Sequence, residues 1–308
     1  MEQLIKLCEK FNCKYLQNEK MSLHTTFKIG GNARLVVYPQ NEEQISELVK
    51  CAKAENVRLI AVGNGSNLLV DDDGIDACVL ILGEPFSQIK LIDEETIYAK
   101  AGAKLIALCR FAYEHSLSGL EFAYGIPGSA GGAAFMNAGA YGGEMKDVLY
   151  KCEHIDKNGD RGFLENDDLK LSYRHSAYYD NGAVITGLYL KLKKGEKSEI
   201  KEKMDDLIGR RRAKQPLEYP SAGSTFKRPA GYFAGKLIED AGLKGFSVGG
   251  AQVSKKHAGF VINTGSATAS DIWNLCNEIQ NRVQNEFGVT LEMEIQKLGS
   301  FEQQKTKG

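Results

Sequence analysis

Two glycine-rich stretches carry the residue types best suited to chemistry in this chain. The first, Gly63-Asn64-Gly65-Ser66-Asn67, stands within AVGNGSNLLV (61–70). The second, GIPGSAGGAAFMNAGAYGG (125–143), closes a longer run (122–143) that holds no charged residue. Glycine lets backbone approach a bound molecule closely, and converging amides can hold phosphate without a lysine. A flat ring system also needs a side-chain-poor surface to lie against. A flavin dinucleotide has both parts, so the two loops fit such a coenzyme or, equally, turn-rich structure. Other signatures fail. A dinucleotide fingerprint would need glycine at 68, where Leu68 stands, and a helix where Asp71-Asp72-Asp73-Gly74 signals a turn. GYFAGKL (231–237) is one residue short of a phosphate loop and has Leu237 where Ser or Thr would bind magnesium. PGSAG (127–131) puts Pro127 at the first glycine of a nucleophile elbow.

The elements that position these loops follow from periodicity. Asn41 followed by EEQ caps a helix whose Ile45, Leu48, Val49 and Ala52 share one face. VRLIAV (57–62) then reads as a buried strand and CVLIL (78–82) as another, an alternating α/β unit within the first 83 residues. Further on come the strand TIYAK, a helix near 103–116 and the strand AVITGLYLKLK (183–193). A helix over 196–212 has Ile200, Met204, Leu207 and Ile208 on one face and ends in Arg210, Arg211, Arg212 and Lys214 before Pro216. Basic residues there oppose the helix dipole, so a solvated helix end is the simple reading of that cluster. Helices follow at about 231–241 and 270–287; the second is apolar at Ile272, Leu275, Ile279 and Val283, with Gly288 placed to close it. The strand VTLEMEIQKL (289–298) sets Val289, Leu291, Met293 and Ile295 against Glu292, Glu294 and Gln296. Glu294 therefore projects opposite the apolar face, as a positioned carboxylate or a solvated strand residue would.

Composition bounds the function. The 308 residues predict two or three domains, and the net charge of −1 argues against a nucleic-acid or anionic-membrane binder. The neutral ribbon is no membrane span, because Gly, Ala, Ser and Asn contribute little transfer energy and Pro127 breaks a helix. MEQLIKLCEKFNCKYLQNEK reads as one amphipathic, charged helix without a signal-peptide core, which predicts a cytoplasmic protein. Seven cysteines with no C-x-x-C pair fit reduced, buried thiols, and neither they nor the five histidines show metal-ligand spacing, so no metal is expected.

Taken together, TTFKIGGNA (25–33), AVGNGSNLLV (61–70), GIPGSAGGAAFMNAGAYGGEM (125–145), SYRHS (172–176), SAGSTFKRP (221–229) and LEMEIQKLG (291–299) resemble the UDP-N-acetylenolpyruvoylglucosamine reductase family in order and spacing. That family makes UDP-N-acetylmuramate for bacterial peptidoglycan. The resemblance runs from about Tyr15 to Gly299, and the tail FEQQKTKG carries nothing recognisable. It implies an α+β protein with the FAD-binding fold of the vanillyl-alcohol oxidase type. Two FAD-binding subdomains are expected, 1–83 with a returning strand 290–300 and 84–200, then an α+β substrate-binding domain over 201–289.

The resemblance further implies NADPH-dependent reduction of UDP-N-acetylglucosamine enolpyruvate, with FAD as cofactor and NADPH as hydride donor. By position it makes Arg174 the grip on the substrate carboxylate, Ser224 the proton donor and Glu294 a second acid/base group, while Glu292 carries no role. FAD binding falls to Gly63, Asn64, Gly65, Ser66 and Asn67 in the first loop. In the ribbon it falls to Gly125, Ile126, Pro127, Gly128, Ser129, Gly131, Gly132, Asn137, Gly139 and Ala140. Tyr141, Lys214, Arg228 and His257 are expected at the substrate, although Arg228 stands where many members have Asn and His257 where the family has Gln. The chain lacks the insertion that carries a uridine-covering tyrosine in the longer family type, and no such role passes to Tyr178 or Tyr179. Expected partners are the UDP-sugar and NADPH, with the protein a monomer or weak oligomer, and without nucleic acid or membrane. Two rivals stand beside this reading: an FAD oxidase of the same fold, and a non-catalytic nucleotide-binding module. SAGSTFKRP speaks against the oxidase, which has no use for a group that protonates a carbanion.

Overall fold

A computed structural model of the chain describes residues 1–301, so nearly all of the tail FEQQKTKG lies outside the described residues. The chain divides into two compact units, one of residues 1–17, 35–64 and 77–211, the other of 18–34, 65–76 and 212 onward.

In the first unit the helix Glu42–Ala54 forms as its cap predicts. The Asn41 side chain accepts the Gln44 N–H at 3.0 Å, and Ile45, Leu48, Val49 and Ala52 are buried. Gln44 reaches back one residue further than a capping box would, accepting the Gln40 N–H at 2.8 Å. The first twenty residues are not one helix. Glu2–Lys10 is helical, Asn12 turns the chain at φ 49°, and Lys14–Lys20 is a strand. The strand expected at 57–62 is Leu59–Val62 and only half-buried, because it is the edge of a sheet ordered Lys14–Lys20, Asn32–Tyr38, Ile75–Ile81, Leu59–Val62. It runs parallel to Ile75–Ile81, the buried strand that contains most of CVLIL.

A five-stranded antiparallel sheet forms the other layer, in the order Arg161–Glu165, Leu149–Ile155, Val184–Lys191, Thr96–Lys100, Ile89–Leu91. The helices Leu105–Glu114 and Lys197–Lys214 contribute Leu105, Leu108, Ile200 and Met204 to one core with Leu35, Ile45, Leu80, Ile97 and Leu188. Arg211 is buried with them on the inner face of Lys197–Lys214. For that residue the reading of a solvated helix end is wrong.

In the second unit, Ala269–Phe287 is the main helix. Thr268 and Asp271 form a reciprocal capping box, Gly288 closes the other end at φ 68°, and Ile272, Leu275, Ile279 and Val283 are buried as their spacing predicts. The Asp72 carboxylate accepts the N–H groups of Ala269 and Ser270 at 2.7 and 2.9 Å, so the acidic turn caps a helix 197 residues away. A three-stranded antiparallel sheet, Ser247–Val248, Ala251–Val253, Val261–Asn263, and the helix Ala234–Asp240 complete the core. The long strand expected over 289–298 narrows to Gln296–Leu298, which pairs in parallel with Leu68–Val70. The alternation nevertheless persists upstream, with Leu291 and Ile295 buried and Glu292 exposed.

Helices beside predominantly antiparallel sheets make this an α+β fold. All seven cysteines are free thiols, and only Cys51 is not buried. Desolvation pushes the Cys276 thiol up to about 12. Among the described residues no helix is long and apolar enough to cross a membrane.

Candidate active site

In the first unit the ribbon folds into a short turn Glu121–Ala123, a helix Ala130–Phe135 and a hairpin Gly139–Ala140/Gly143–Glu144. Its start meets the first glycine loop. The Asn64 Nδ2 donates to the Pro127 carbonyl at 2.6 Å, and a Cβ on Gly63 would stand 2.1 Å from the Ser129 Oγ. Only glycine fits there, because that Oγ is itself engaged as cap acceptor for the Gly132 N–H at 3.3 Å. Among the described residues the N–H groups of Gly63, Asn64, Gly128 and Ser129 donate to no protein acceptor. Unsatisfied backbone donors on a side-chain-poor surface fit a phosphorylated coenzyme. The amides of Ala130 and Gly131 are not available, since they bond to the carbonyls of Ala103 and Ala101. Gly131 instead lets the helix touch Ala101, whose Cβ would be 2.7 Å from a Cβ at that position.

Arg174 is positioned by the far half of the same ribbon. Ser172 and His175 exchange backbone bonds of 3.1 Å, which leaves Tyr173 and Arg174 at the tip of a tight turn with Arg174 at φ 55°. A left-handed arginine costs about 1–2 kcal/mol, and such strain gathers at functional positions. Its Nη2 donates to the Gly139 carbonyl at 3.3 Å, and its guanidinium lies 5.1 Å from the Tyr173 ring centroid. Asn137, fully buried, ties the two segments. Its Nδ2 donates to Glu144 Oε2 and the Ser172 carbonyl, both at 2.9 Å, and its Oδ1 accepts the Lys146 N–H at 2.9 Å. Tyr178 is buried in contact with His154, and Tyr179 stacks on Phe135 at 4.3 Å, so both rings are committed to packing.

Tyr141 and Gly142 form the two-residue loop of the ribbon hairpin at φ 54° and 88°. This is the primed turn that Asn-Gly fills best, yet a tyrosine occupies it and is 45% exposed. Tyr141→Asn should therefore raise stability by about 0.5–1 kcal/mol. Thermal melts check it; a variant that gains no stability refutes the strain.

The second unit brings Ser224 and Glu294 together across seventy residues of sequence. Phe226 and Met293 form an antiparallel bridge, and the Glu294 N–H donates to the Thr225 carbonyl at 2.9 Å. Thr225, fully buried, is pinned twice more: its N–H reaches the Gly259 carbonyl and its Oγ1 accepts the Val261 N–H, both at 2.9 Å. Ser224 stands exposed between this anchor and Gly223 at φ 79°. The same edge holds the second half of the first glycine loop. Asn67 Nδ2 donates to the Glu294 carbonyl at 3.1 Å, and the Gln296 N–H donates to the Asn67 carbonyl at 2.9 Å. Gly65 sits with Ser66 in that loop at φ 59°, under the His24 carbonyl. Sequence reasoning gave Thr225 no role; its place between two candidate residues was invisible until the bridge paired it with Glu294.

The remaining candidates of this unit are spread along its surface. Lys214 and Arg228 are exposed, and the Arg228 guanidinium stacks 4.0 Å from the Phe233 ring centroid. Lys227 is paired with Glu292. His257 is half-buried, and its Nδ1 accepts the Gly259 N–H at 3.1 Å. Desolvation lowers its pKa, which leaves a neutral ring with Nε2–H free to donate. Gln215 Oε1 is buried without a partner among the described residues, an acceptor awaiting a donor.

Comparisons with known proteins agree with this geometry. Residues 33–161 match the family model "FAD binding domain", and residues 215–298 match "UDP-N-acetylenolpyruvoylglucosamine reductase, C-terminal domain". The chain is 50% identical to a UDP-N-acetylenolpyruvoylglucosamine reductase of Agathobacter rectalis, over 93% of this chain and 94% of that one. It is 48% identical to the one from Caldanaerobacter subterraneus subsp. tengcongensis, again over 93% and 94%. The crystal structure of the Thermus caldophilus reductase superposes with a TM-score of 0.79 at 34% identity, over 93% of this chain and 99% of that one.

Proposed function

This chain belongs to the UDP-N-acetylenolpyruvoylglucosamine reductase family, and from that premise we propose that Arg174, Ser224 and Glu294 carry the chemistry. The protein is an FAD-dependent oxidoreductase with the FAD-binding fold of the vanillyl-alcohol oxidase type. It reduces UDP-N-acetylglucosamine enolpyruvate to UDP-N-acetylmuramate at the expense of NADPH.

FAD, when bound, would supply hydride transfer from NADPH to the enolpyruvyl methylene. The glycine loops would hold it: backbone amides of Gly63, Asn64, Gly128 and Ser129 on the diphosphate, with Gly65, Ser66 and Asn67 continuing the loop. Gly125, Ile126, Pro127, Gly132, Gly139 and Ala140 would give the ring a flat bed. The Arg174 fork holds the substrate carboxylate by two parallel bonds and opposes the negative charge that grows there. Ser224 donates its hydroxyl proton to the neighbouring carbon from one face. Glu294, when protonated, donates to the developing enolate oxygen. Tyr141, Lys214, Arg228 and His257 contact the UDP-sugar, and Lys214 also faces the nicotinamide. The functional division we assign is 1–83 with 290–300, 84–200, and 201–289, in a cytoplasmic protein that works as a monomer or weak oligomer.

The observation that supports this reading is the edge on which Asn67 and Thr225 each bond to the Glu294 backbone, a shared support for the proposed coenzyme loop, carboxylate and serine. The purified protein should be yellow, bleach with NADPH, and recover colour far faster with the enolpyruvyl UDP-sugar than with air. Equal recovery rates in stopped flow would make it an oxidase instead.

A further inference from the structure

The helix Lys197–Lys214 buries one charge that nothing in its own unit neutralises. Arg211 is only 9% exposed, on the face that also carries Ile200, Met204 and Leu207. Among the described residues no hydrogen bond or ion pair engages its guanidinium, whereas Arg210 beside it pairs with Asp206 at 2.8 Å. Its stem lies on the first glycine of the ribbon. A Cβ at Gly125 would stand 2.8 Å from the Arg211 Cδ and 3.2 Å from the Ile208 Cδ1. Burial pulls the Arg211 pKa down. Even so, a guanidinium stays charged at any ordinary pH. A desolvated and unpaired cation is destabilising, and proteins retain such groups where a ligand completes them.

The geometry points to Arg211 as the counter-charge for an electron-rich oxygen of the bound coenzyme, seated where the ribbon begins. The assignment rests on the reading of the ribbon as the bed of FAD. The chemistry shared by the two available oxygens, those of the diphosphate and the carbonyl edge of the ring, is that of an acceptor for a forked cationic donor. The coenzyme is favoured over the UDP-sugar because the glycine that the arginine touches leads within a few residues to Gly128 and Ser129, whose amides donate to no acceptor among the described residues.

The test uses the full chain, stripped of flavin and reconstituted, as wild type, Arg211→Met and Arg211→Lys. Thermal melts of the flavin-free proteins are set beside Kd values for FAD, riboflavin and UDP. The Met variant should melt no lower than wild type, since it loses an uncompensated charge and keeps the packing. It should nonetheless bind FAD about 10- to 100-fold more weakly, with Lys between the two. Weakening for FAD alone assigns the contact to the diphosphate, and equal weakening for riboflavin assigns it to the ring. An unchanged FAD affinity, a loss confined to UDP, or a melting temperature that falls in step with affinity would each overturn the assignment. A wild type that takes up no FAD would instead fail the coenzyme reading itself.

Discussion

Ser224→Ala should leave reduction of the bound flavin by NADPH at its wild-type rate and slow reoxidation by the enolpyruvyl substrate about 10²–10⁴-fold. The asymmetry follows from the proton transfer proposed for this hydroxyl. The first half-reaction moves a hydride and needs no proton from the protein, whereas the second leaves a carbon that must be protonated. In steady state kcat and kcat/KM should fall together, the mark of an interaction made only in the transition state. The substitution should barely touch folding, because Ser224 is exposed and its neighbour holds the strand. Thr225→Ala is the contrast. It strands the Val261 N–H and should cost about 1–3 kcal/mol of stability, wherever activity ends up. Equal slowing of both half-reactions in Ser224→Ala would remove the serine from the proton transfer.

Gly65→Ala should yield a colourless protein. At φ 59° a Cβ is strained by about 1–2 kcal/mol, and here it would also stand 1.9 Å from the His24 carbonyl oxygen, an atom of the main chain that cannot swing aside. The loop must move, and Asn67 moves with it. A combined cost of about 3 kcal/mol corresponds to about 100-fold in FAD affinity. Gly242→Ala separates the two contributions, since Gly242 has φ 68° but nothing within 4 Å of the new methyl. That variant should lose about 1 kcal/mol in a thermal melt and remain yellow. A Gly65→Ala protein that purifies with a full complement of flavin would show that this loop is not the coenzyme's seat.

Periodicity and caps were legible wherever an element answers to local rules. Asn41 and Gly288 each mark a boundary that the backbone respects, and the spacing of Ile272, Leu275, Ile279 and Val283 gave the buried face directly. The first twenty residues misled because their apolar spacing continues through a residue, Asn12, whose left-handed turn has no periodic signature. The strand at 289–298 kept its alternation but not its ladder, since a partner strand is a tertiary fact. Arg211 was the instructive miss. It follows Leu207 by four positions and Ile208 by three, so the helical period itself set it on the apolar face. The charge, not the spacing, steered the reading towards solvent. The pairing of Ser224 with Glu294 had no local signal at all, and only the family resemblance linked them before the bridge at Phe226 and Met293 did.

The distribution of sulfur gives the protein a built-in reporter. Six of the seven thiols belong to the first unit and one, Cys276, to the second, where it lies fully enclosed. With that thiol pushed up to about 12, the reactive anion is scarce at neutral pH. Alkylation at Cys276 thus waits on breathing of its own unit, and pulse labelling read by mass spectrometry would time that breathing without a single engineered tag.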